Sequence, residues 1–229
     1  MKAWEKAIIF TARAIVFVDL ISVLMYGTAD QIAAAIGGLL ALFGPTIVRK
    51  LYPHPHRKVW PWVSPFYNDG VYTLFAIFIA AHVTFLNVPF VHLDLYNKTW
   101  GHADVPSHYL GGLVTWVIFN EVVLESSRTY NLGWSRRKIT AISLSALVFV
   151  GLFWEVFEVM MQPLMPWLYE SMDNKIQDVV MEVLGFLTGI LLVYAFKYPY
   201  SMTEPMENIP EFSGESSVDL LPQPKKARK

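Results

Sequence analysis

Residues 176–197 read IQDVVMEVLGFLTGILLVYAFK, a long apolar segment with two acidic residues near its start. It is long enough to cross the hydrocarbon core of a bilayer, which takes about 20 apolar residues as a helix. Asp178 and Glu182 lie near its start, and Gly185 and Gly189 continue the same helical face. We therefore predict a membrane-spanning helix that turns one polar, closely packed side towards other helices.

The composition of the whole chain also indicates a membrane protein. Of its 229 residues, 54% are hydrophobic and 16% are charged, whereas about a quarter of the residues in soluble domains are charged. The chain has no cysteine, which excludes disulfides and thiolate metal sites. The predicted fold class is an all-α integral membrane protein with six transmembrane helices, at about 7–26, 30–48, 70–92, 108–126, 138–161 and 176–197.

The basic residues predict the orientation of these helices. Of the 18 Lys and Arg residues, 15 fall on the side that carries the two chain ends and the second and fourth loops. Cytoplasmic loops carry the excess of Lys and Arg, so both termini are predicted to be cytoplasmic. An even number of spans agrees with this arrangement, and we expect a multi-pass protein of the cell (inner) membrane.

The residues after the last span differ in composition from the rest of the chain. Residues 199–229 are rich in Pro, Glu and Ser and show no helical apolar period. Such a composition predicts a disordered cytoplasmic tail. The domain organisation expected is thus a six-helix transmembrane domain over 1–198 followed by this tail.

Polar residues inside the predicted spans lie at one level, on the extracytoplasmic side. At 1.5 Å per residue, two carboxylates at the outer end of the fifth span and two at the outer start of the sixth lie about 5–9 Å below the surface. Ionised carboxylates facing lipid would cost several kcal/mol each, so they are expected to face the bundle interior. The predicted polar site comprises His108, Glu155, Glu158, Asp178, Glu182, Asp104 and His82.

Several stretches of the chain resemble the YjdF-type family of small polytopic inner-membrane proteins. ADVPSHYLGGLVTWVIFNEVV (103–123) is similar to that family's D-x-x-x-H-[FY]-x-x-G helix, WEVFEVMM (154–161) to its E-x-x-E-W helix, and DNKIQDVVMEVLGFLTG (173–189) to its D-x-x-x-D helix. The chain departs from the pattern at Val159, where the family has Trp, and in lacking a TQGD loop. A more distant resemblance is to VanZ-like proteins. These resemblances imply the fold and the site positions, and neither family brings an established reaction.

Three kinds of site chemistry are consistent with the outer residues. A neutral histidine with several carboxylates suits a divalent metal ion, with His108, Glu155, Glu158 and Asp178 as candidate ligands. Without a metal, close carboxylates cannot all ionise, and some would hold protons. The purely structural alternative is that Asp178 and Glu182 cap the start of the sixth span while His108 bonds to one of them.

Three function classes follow from these alternatives. The first is a membrane enzyme that uses a divalent metal to act on lipid or envelope substrates. The second is a small proton- or ion-coupled transporter, and the third is a non-catalytic membrane scaffold. The expected partners are the lipid bilayer and a small-molecule or lipid ligand, with no nucleic acid.

A second level of charge is predicted nearer the cytoplasm. Arg13 and Glu121 lie about 9–10 Å from that surface, and Glu121 points about 140° away from His108 on its helix. Because charges inside a membrane usually pair, we predict a structural ion pair between Arg13 and Glu121. The competing local partners are Asn120, Glu125 and Arg128, the last pairing with Glu125 one turn nearer the water.

Overall fold

The computed structural model describes residues 1–86, 105–161, 163, 172–204 and 212. This part of the chain is helical and contains no strand. Its seven helices are α1 (Ala3–Tyr26), α2 (Ala29–Leu51), α3 (Trp60–Tyr67), α4 (Asp69–Leu86), α5 (Val105–Thr129), α6 (Arg136–Met161) and α7 (Met172–Tyr194).

Four of these helices are long and apolar enough to cross a membrane. They are α1, the part of α2 from Gln31, α6 as far as Phe157, and α7 from Asp173. A fifth span results if α3 and α4, which meet at an angle of 71°, count as one broken span. Large apolar side chains lie exposed on these helices, among them Phe149, Phe153 and Met160 of α6. The described helices thus support an all-α membrane protein.

Helix α5 is the central helix of the bundle, and this explains why it is the least apolar of the long helices. It packs against α3, α4, α6 and α7, and eleven of its residues are buried. Because its surroundings are protein rather than lipid, its polar side chains can bond to other helices. A helix is thus present over the fourth predicted span, 108–126, but α5 is not among the helices that are apolar enough to count as candidate spans.

Two hydrophobic clusters meet at α4. One lies between α1, α2 and α4 and includes Val16, Leu42 and Val83. The other lies mainly between α5, α6 and α7 and includes Trp116 and Val193. Since α4 contacts both α1 and α5, it joins the first helices to the last ones.

Helix α3 lies in a segment for which the sequence predicts only a basic loop. Its aromatic residues explain the difference: Trp60 is buried and its ring centroid lies 5.4 Å from that of Tyr67. The Trp60 Nε1 donates a hydrogen bond of 2.9 Å to Glu125 of α5. The charges that suggested a loop precede the helix, whereas the helix itself is apolar and aromatic.

Glycines bring α5 and α7 into backbone contact, as the small-residue pattern predicts. A Cβ atom placed on Gly185 would lie 2.0 Å from the carbonyl oxygen of Tyr109, and one on Gly112 would lie 2.3 Å from that of Glu182. At Gly189, a Cβ would lie 2.7 Å from the Trp116 ring. The two helices can therefore cross this closely only with glycine at these positions.

The segment after α7 packs on the bundle, so the predicted tail begins too early. Tyr200 is buried and its hydroxyl donates to the carbonyl oxygen of Val117 at 2.8 Å. Arg128 donates to the carbonyl oxygen of Ser201 at 2.9 Å. A prediction from the Pro- and Glu-rich composition cannot include these contacts, because each depends on a single side chain. Residues 205–211 and 213–229 of the predicted tail lie outside the described part of the chain.

The glycine contacts lead to a stability prediction. Replacing Gly185 with Ala should lower the unfolding free energy by about 3 kcal/mol, the upper range for overpacking, because the methyl group meets backbone atoms that cannot move aside. The control is Gly37→Ala, at an exposed α2 position with no atom within 4 Å of the added methyl group. It should change stability by less than about 1 kcal/mol. Thermal unfolding in detergent measures both, and equal effects would refute the close crossing.

Candidate functional site

The close crossing of α5 and α7 places His108 between two carboxylates. His108 Nε2 lies 3.7 Å from Asp178 Oδ1, and its Nδ1 lies 3.4 Å from Glu182 Oε1. Asp178 and Glu182 are one turn apart on α7, and His108 lies one turn before Gly112 on α5. The structure thus brings together three of the residues that the sequence assigns to one polar site.

Both ring nitrogens of His108 face a carboxylate oxygen, which determines what the site can do. A doubly protonated imidazole can donate through both nitrogens, whereas a neutral imidazole can donate through only one. Asp178 is buried and also accepts a hydrogen bond of 3.2 Å from Asn174. Glu182 approaches α6, since a Cβ on Gly151 would lie 3.2 Å from its Oε2. A protonated His108 would therefore lie within hydrogen-bond distance of Glu182 and within ion-pair distance of Asp178, in a partly buried setting.

Glu155 forms a separate pair beside this cluster. It lies on the stripe of α6 that contains Leu147 and Gly151, spaced four residues apart, and so faces the bundle. Its Oε2 accepts from Lys175 Nζ at 2.5 Å. Lys175 thereby supplies a positive charge at the outer level.

Two further polar contacts occur at the outer level. His82 Nδ1 lies 2.6 Å from the hydroxyl of Ser107, the residue next to His108. On the other side of α4, Thr84 donates to Asp19 Oδ2 at 2.7 Å. Among the described residues, the outer level thus contains the cluster of His108, Asp178 and Glu182 and these pairs.

The remaining predicted members of the site lie outside the described residues. These are Asp104 and the side chain of Glu158.

The ligand geometry expected of a metal site is not formed within the described chain. No group of three or more His, Asp or Glu side chains there could hold a metal ion. Two contacts explain this: the nitrogens of His108 are directed at carboxylates, and Glu155 is paired with the cation of Lys175. A bound ammonium group and a divalent metal would compete for the same carboxylate.

The capping alternative does not fit the helix boundary. Because α7 begins at Met172, Asp178 and Glu182 lie in its second and third turns rather than at its start. Asp173 occupies the first turn instead. The predicted span began at 176 because the preceding residues are polar, and that choice made Asp178 look like a terminal residue.

Arg13 and Glu121 do not form the predicted ion pair. Arg13 donates to Thr46 at 2.7 Å and to Tyr72 at 2.5 Å, whereas Glu121 accepts from Asn68 at 3.2 Å. The packing explains the difference, because α1 lies against α2 and α4 while Glu121 faces the start of α4 from α5. Equal depth in the membrane does not make two residues neighbours.

A buried polar cluster surrounds Glu121 at the other end of α5. Glu121 is only 1% exposed, and its Oε2 has no hydrogen-bond partner among the described residues. One turn further on, Glu125 accepts from Trp60 at 2.9 Å and from Arg128 at 2.6 Å. The Arg128–Glu125 pair is the local alternative that the sequence offers, and the structure confirms it.

The other residues of the polar cluster around Glu121 (Asn68, Asn120 and Tyr200) are difficult to predict from the sequence. Asn68 caps α4 by accepting from the backbone N–H groups of Gly70 and Val71, so it can reach Glu121 as well. Asn120 donates to the Tyr200 hydroxyl at 3.0 Å, and burial raises the pKa of Tyr200 well above its usual range. The one sequence signal is the occurrence of Asn120 and Glu121 together inside an apolar run.

Comparison of the chain with protein-family models, with curated proteins and with solved structures finds no match.

The environment of Glu121 predicts how it tolerates substitution. Glu121→Gln should change the unfolding free energy by less than about 1 kcal/mol, because the amide oxygen can still accept from Asn68 and carries no charge to bury. Glu121→Ala should lower it by about 2–4 kcal/mol, through the lost hydrogen bond and the cavity. Thermal unfolding in detergent gives both values. Equal losses in the two variants would show that the carboxylate itself is required.

Proposed function

We propose that the protein is a six-span cell-membrane protein that binds and releases protons at the His108–Asp178–Glu182 cluster. Proton exchange there is coupled to the movement of a small solute or ion. The observation that carries this proposal is that each ring nitrogen of His108 faces a different carboxylate oxygen. Proton relays in transporters are built from such His and acidic side chains within the bundle.

The arrangement of helix ends supports the six-span topology, with α1, α2, α4, α5, α6 and α7 as the spans. Trp4 at the start of α1 lies against Tyr198, which follows α7. The hydroxyl of Tyr198 also contacts the carbonyl of Gly70 at the start of α4. Tyr194 at the end of α7 contacts the start of α6. These contacts gather at the end of the bundle with most of the basic residues, which favours a cytoplasmic location.

The outer cluster then opens towards the extracytoplasmic side. His108 lies at the start of α5 and Asp178 lies near the start of α7, at the opposite end from Tyr198 and Tyr200. Glu121 and Glu125 lie at the cytoplasmic end of α5. Helix α5 thus contributes a titratable side chain near each membrane surface, His108 on one side and Glu121 with Glu125 on the other.

Metal-assisted chemistry on lipid or envelope substrates is the second candidate function. It is favoured by the chemistry of the same side chains, since imidazole and carboxylate groups suit a divalent metal ion. It would require Lys175 to release Glu155 and His108 to turn one nitrogen away from its carboxylate. The proton-binding function needs no such rearrangement and is therefore preferred. A non-catalytic scaffold would not use the proton-binding groups of the outer cluster.

The topology has a direct test. A reporter fused after residue 204 should be cytoplasmic, and one inserted within residues 94–104 should be extracytoplasmic. Alkaline phosphatase and a fluorescent protein report the two sides. The model of six spans predicts opposite sides, and a finding of both reporters on one side would overturn it.

Proton exchange can be measured in reconstituted vesicles. Proteoliposomes that contain the full chain and an internal pH-sensitive dye should change their internal pH when Na⁺ or K⁺ is added outside. His108→Gln and Asp178→Asn should each reduce the initial rate at least about tenfold, the range for loss of one charge-assisted contact.

The matched control is His54→Gln, which removes an imidazole from the loop between α2 and α3. It should leave the rate unchanged. A rate that persists in His108→Gln would refute the assignment of this cluster. Stoichiometric bound metal in the wild-type protein, lost in His108→Gln, would instead favour the metal-assisted function.

A further inference from the structure

Among the described residues, Arg13 is held within the bundle by neutral groups. Its guanidinium donates to the Leu42 carbonyl oxygen at 3.2 Å, to the Thr46 hydroxyl at 2.7 Å and to the Tyr72 hydroxyl at 2.5 Å. The ring of Phe43 covers one face, with the guanidinium carbon 4.2 Å from its centroid. These contacts fix the side chain across α2 and α4, so it does not extend along α1 towards the water.

Within the described part of the chain, no carboxylate lies within ion-pair distance of Arg13. Two other arginines that bond into the bundle do have one: Arg49 pairs with Asp69 at 2.5 Å, and Arg128 pairs with Glu125 at 2.6 Å. Charged groups within a membrane usually have a charged partner. We therefore expect the positive charge of Arg13 to pair with an anion that is not part of the described chain.

A cavity of about 140 Å³ lies beside Arg13 and is open at one side. It is lined on α1 by Lys6, Phe10 and Arg13, and across from them by Thr46 and Tyr72. Lys6 and Arg13 are seven residues apart on one face of the helix, or about 10 Å along its axis. Since a water molecule takes up about 30 Å³ of liquid, the cavity has room for a phosphate-sized group.

The Arg13 guanidinium has N–H donors that make no hydrogen bond to the described residues and can bind such a group. Arginine carries five N–H donors, and the bonds to Leu42, Thr46 and Tyr72 use Nε and Nη2. The Nη1 amino group adds two further donors. Planar N–H pairs of arginine suit phosphate oxygens, and Lys6 adds a second, flexible positive charge at the mouth of the cavity.

We propose that this cavity binds the phosphate of an anionic phospholipid headgroup. Arg13 binds the phosphate oxygens, Lys6 adds charge attraction, and the acyl chains lie on the adjacent apolar surface of α1 and α2. That surface is formed by Phe10, Phe43 and Ile47, which are exposed in the described chain. A soluble phosphate would gain nothing from these apolar side chains, whereas a lipid buries them.

This site is separate from the proton-binding cluster at the other end of the bundle. Its position in the cytoplasmic leaflet rests on the orientation proposed above, whereas its preference for an anionic headgroup does not. A negative proton assay would not contradict the lipid site, and a negative lipid titration would not contradict the proton-binding cluster.

Native mass spectrometry of the full chain in detergent tests the proposal. The protein is titrated with dioleoyl phosphatidylglycerol, with dioleoyl phosphatidylcholine of the same chain length, and with soluble glycerol 3-phosphate. We expect the anionic lipid to bind at least about tenfold more tightly than the zwitterionic one. Arg13→Gln should weaken its binding about tenfold, and Lys6→Gln about fivefold, at about 1 kcal/mol for one basic residue.

The control is Arg137→Gln, which removes an exposed positive charge from the start of α6. It should leave the dissociation constant unchanged. If Arg13→Gln does not fold, Lys6→Gln still decides the matter, because this exposed side chain makes no hydrogen bond within the described residues. Equal binding of both lipids, unchanged binding in Lys6→Gln, or glycerol 3-phosphate binding as tightly as the anionic lipid would each overturn the proposal.

Discussion

The backbone contact between α5 and α7 positions the polar side chains of both helices. With no side chain at Gly112 or Gly185, the two helices approach until main-chain atoms of one meet those of the other. That approach places His108 of α5 within reach of Asp178 and Glu182 of α7. Dispersion and hydrogen bonding hold helices together in lipid, so close contact of this kind also supplies much of the association energy.

Helix α5 combines two roles that a lipid-facing helix could not. It carries an imidazole near one end and two buried carboxylates, Glu121 and Glu125, towards the other. Each polar group has a partner on a surrounding element: α7 for His108, and Asn68 and Trp60 for the two carboxylates. A ring of helices thus allows the central one to be polar. The apolar surface of the protein lies on the outer helices, as on α6.

Periodicity and depth predict most of the fold, and a smaller part of the site. The helical architecture and the acid–glycine stripe of the last helix can be recognised because each is a local pattern, whereas four helices, or five spans with α3 and α4 taken together, are long and apolar enough to cross a membrane. The meeting of His108 with Asp178 and Glu182 follows from depth together with that stripe. The Lys175–Glu155 pair and the partners of Arg13 could not be predicted in this way, because the depth of a residue does not show which helices are neighbours. Composition predicted a loop where Trp60–Tyr67 form a helix, because it does not show that the aromatic side chains are buried. It also predicted a disordered tail from residue 199, whereas side chains such as Tyr200 pack residues 199–204 on the bundle.

We propose that the α5–α7 contact holds the His108 imidazole between two acidic groups that share its protons. Nitrogen-15 NMR of the histidine-labelled protein in bilayers tests this most directly, with His108→Gln used to assign its ring signals. At neutral pH, we expect both His108 ring nitrogens to carry hydrogen, and Asp178→Asn should convert the ring to a form with one N–H. A single N–H on His108 in the unmodified protein across the range from pH 5 to pH 8 would contradict it, because one carboxylate would then receive no proton from the ring.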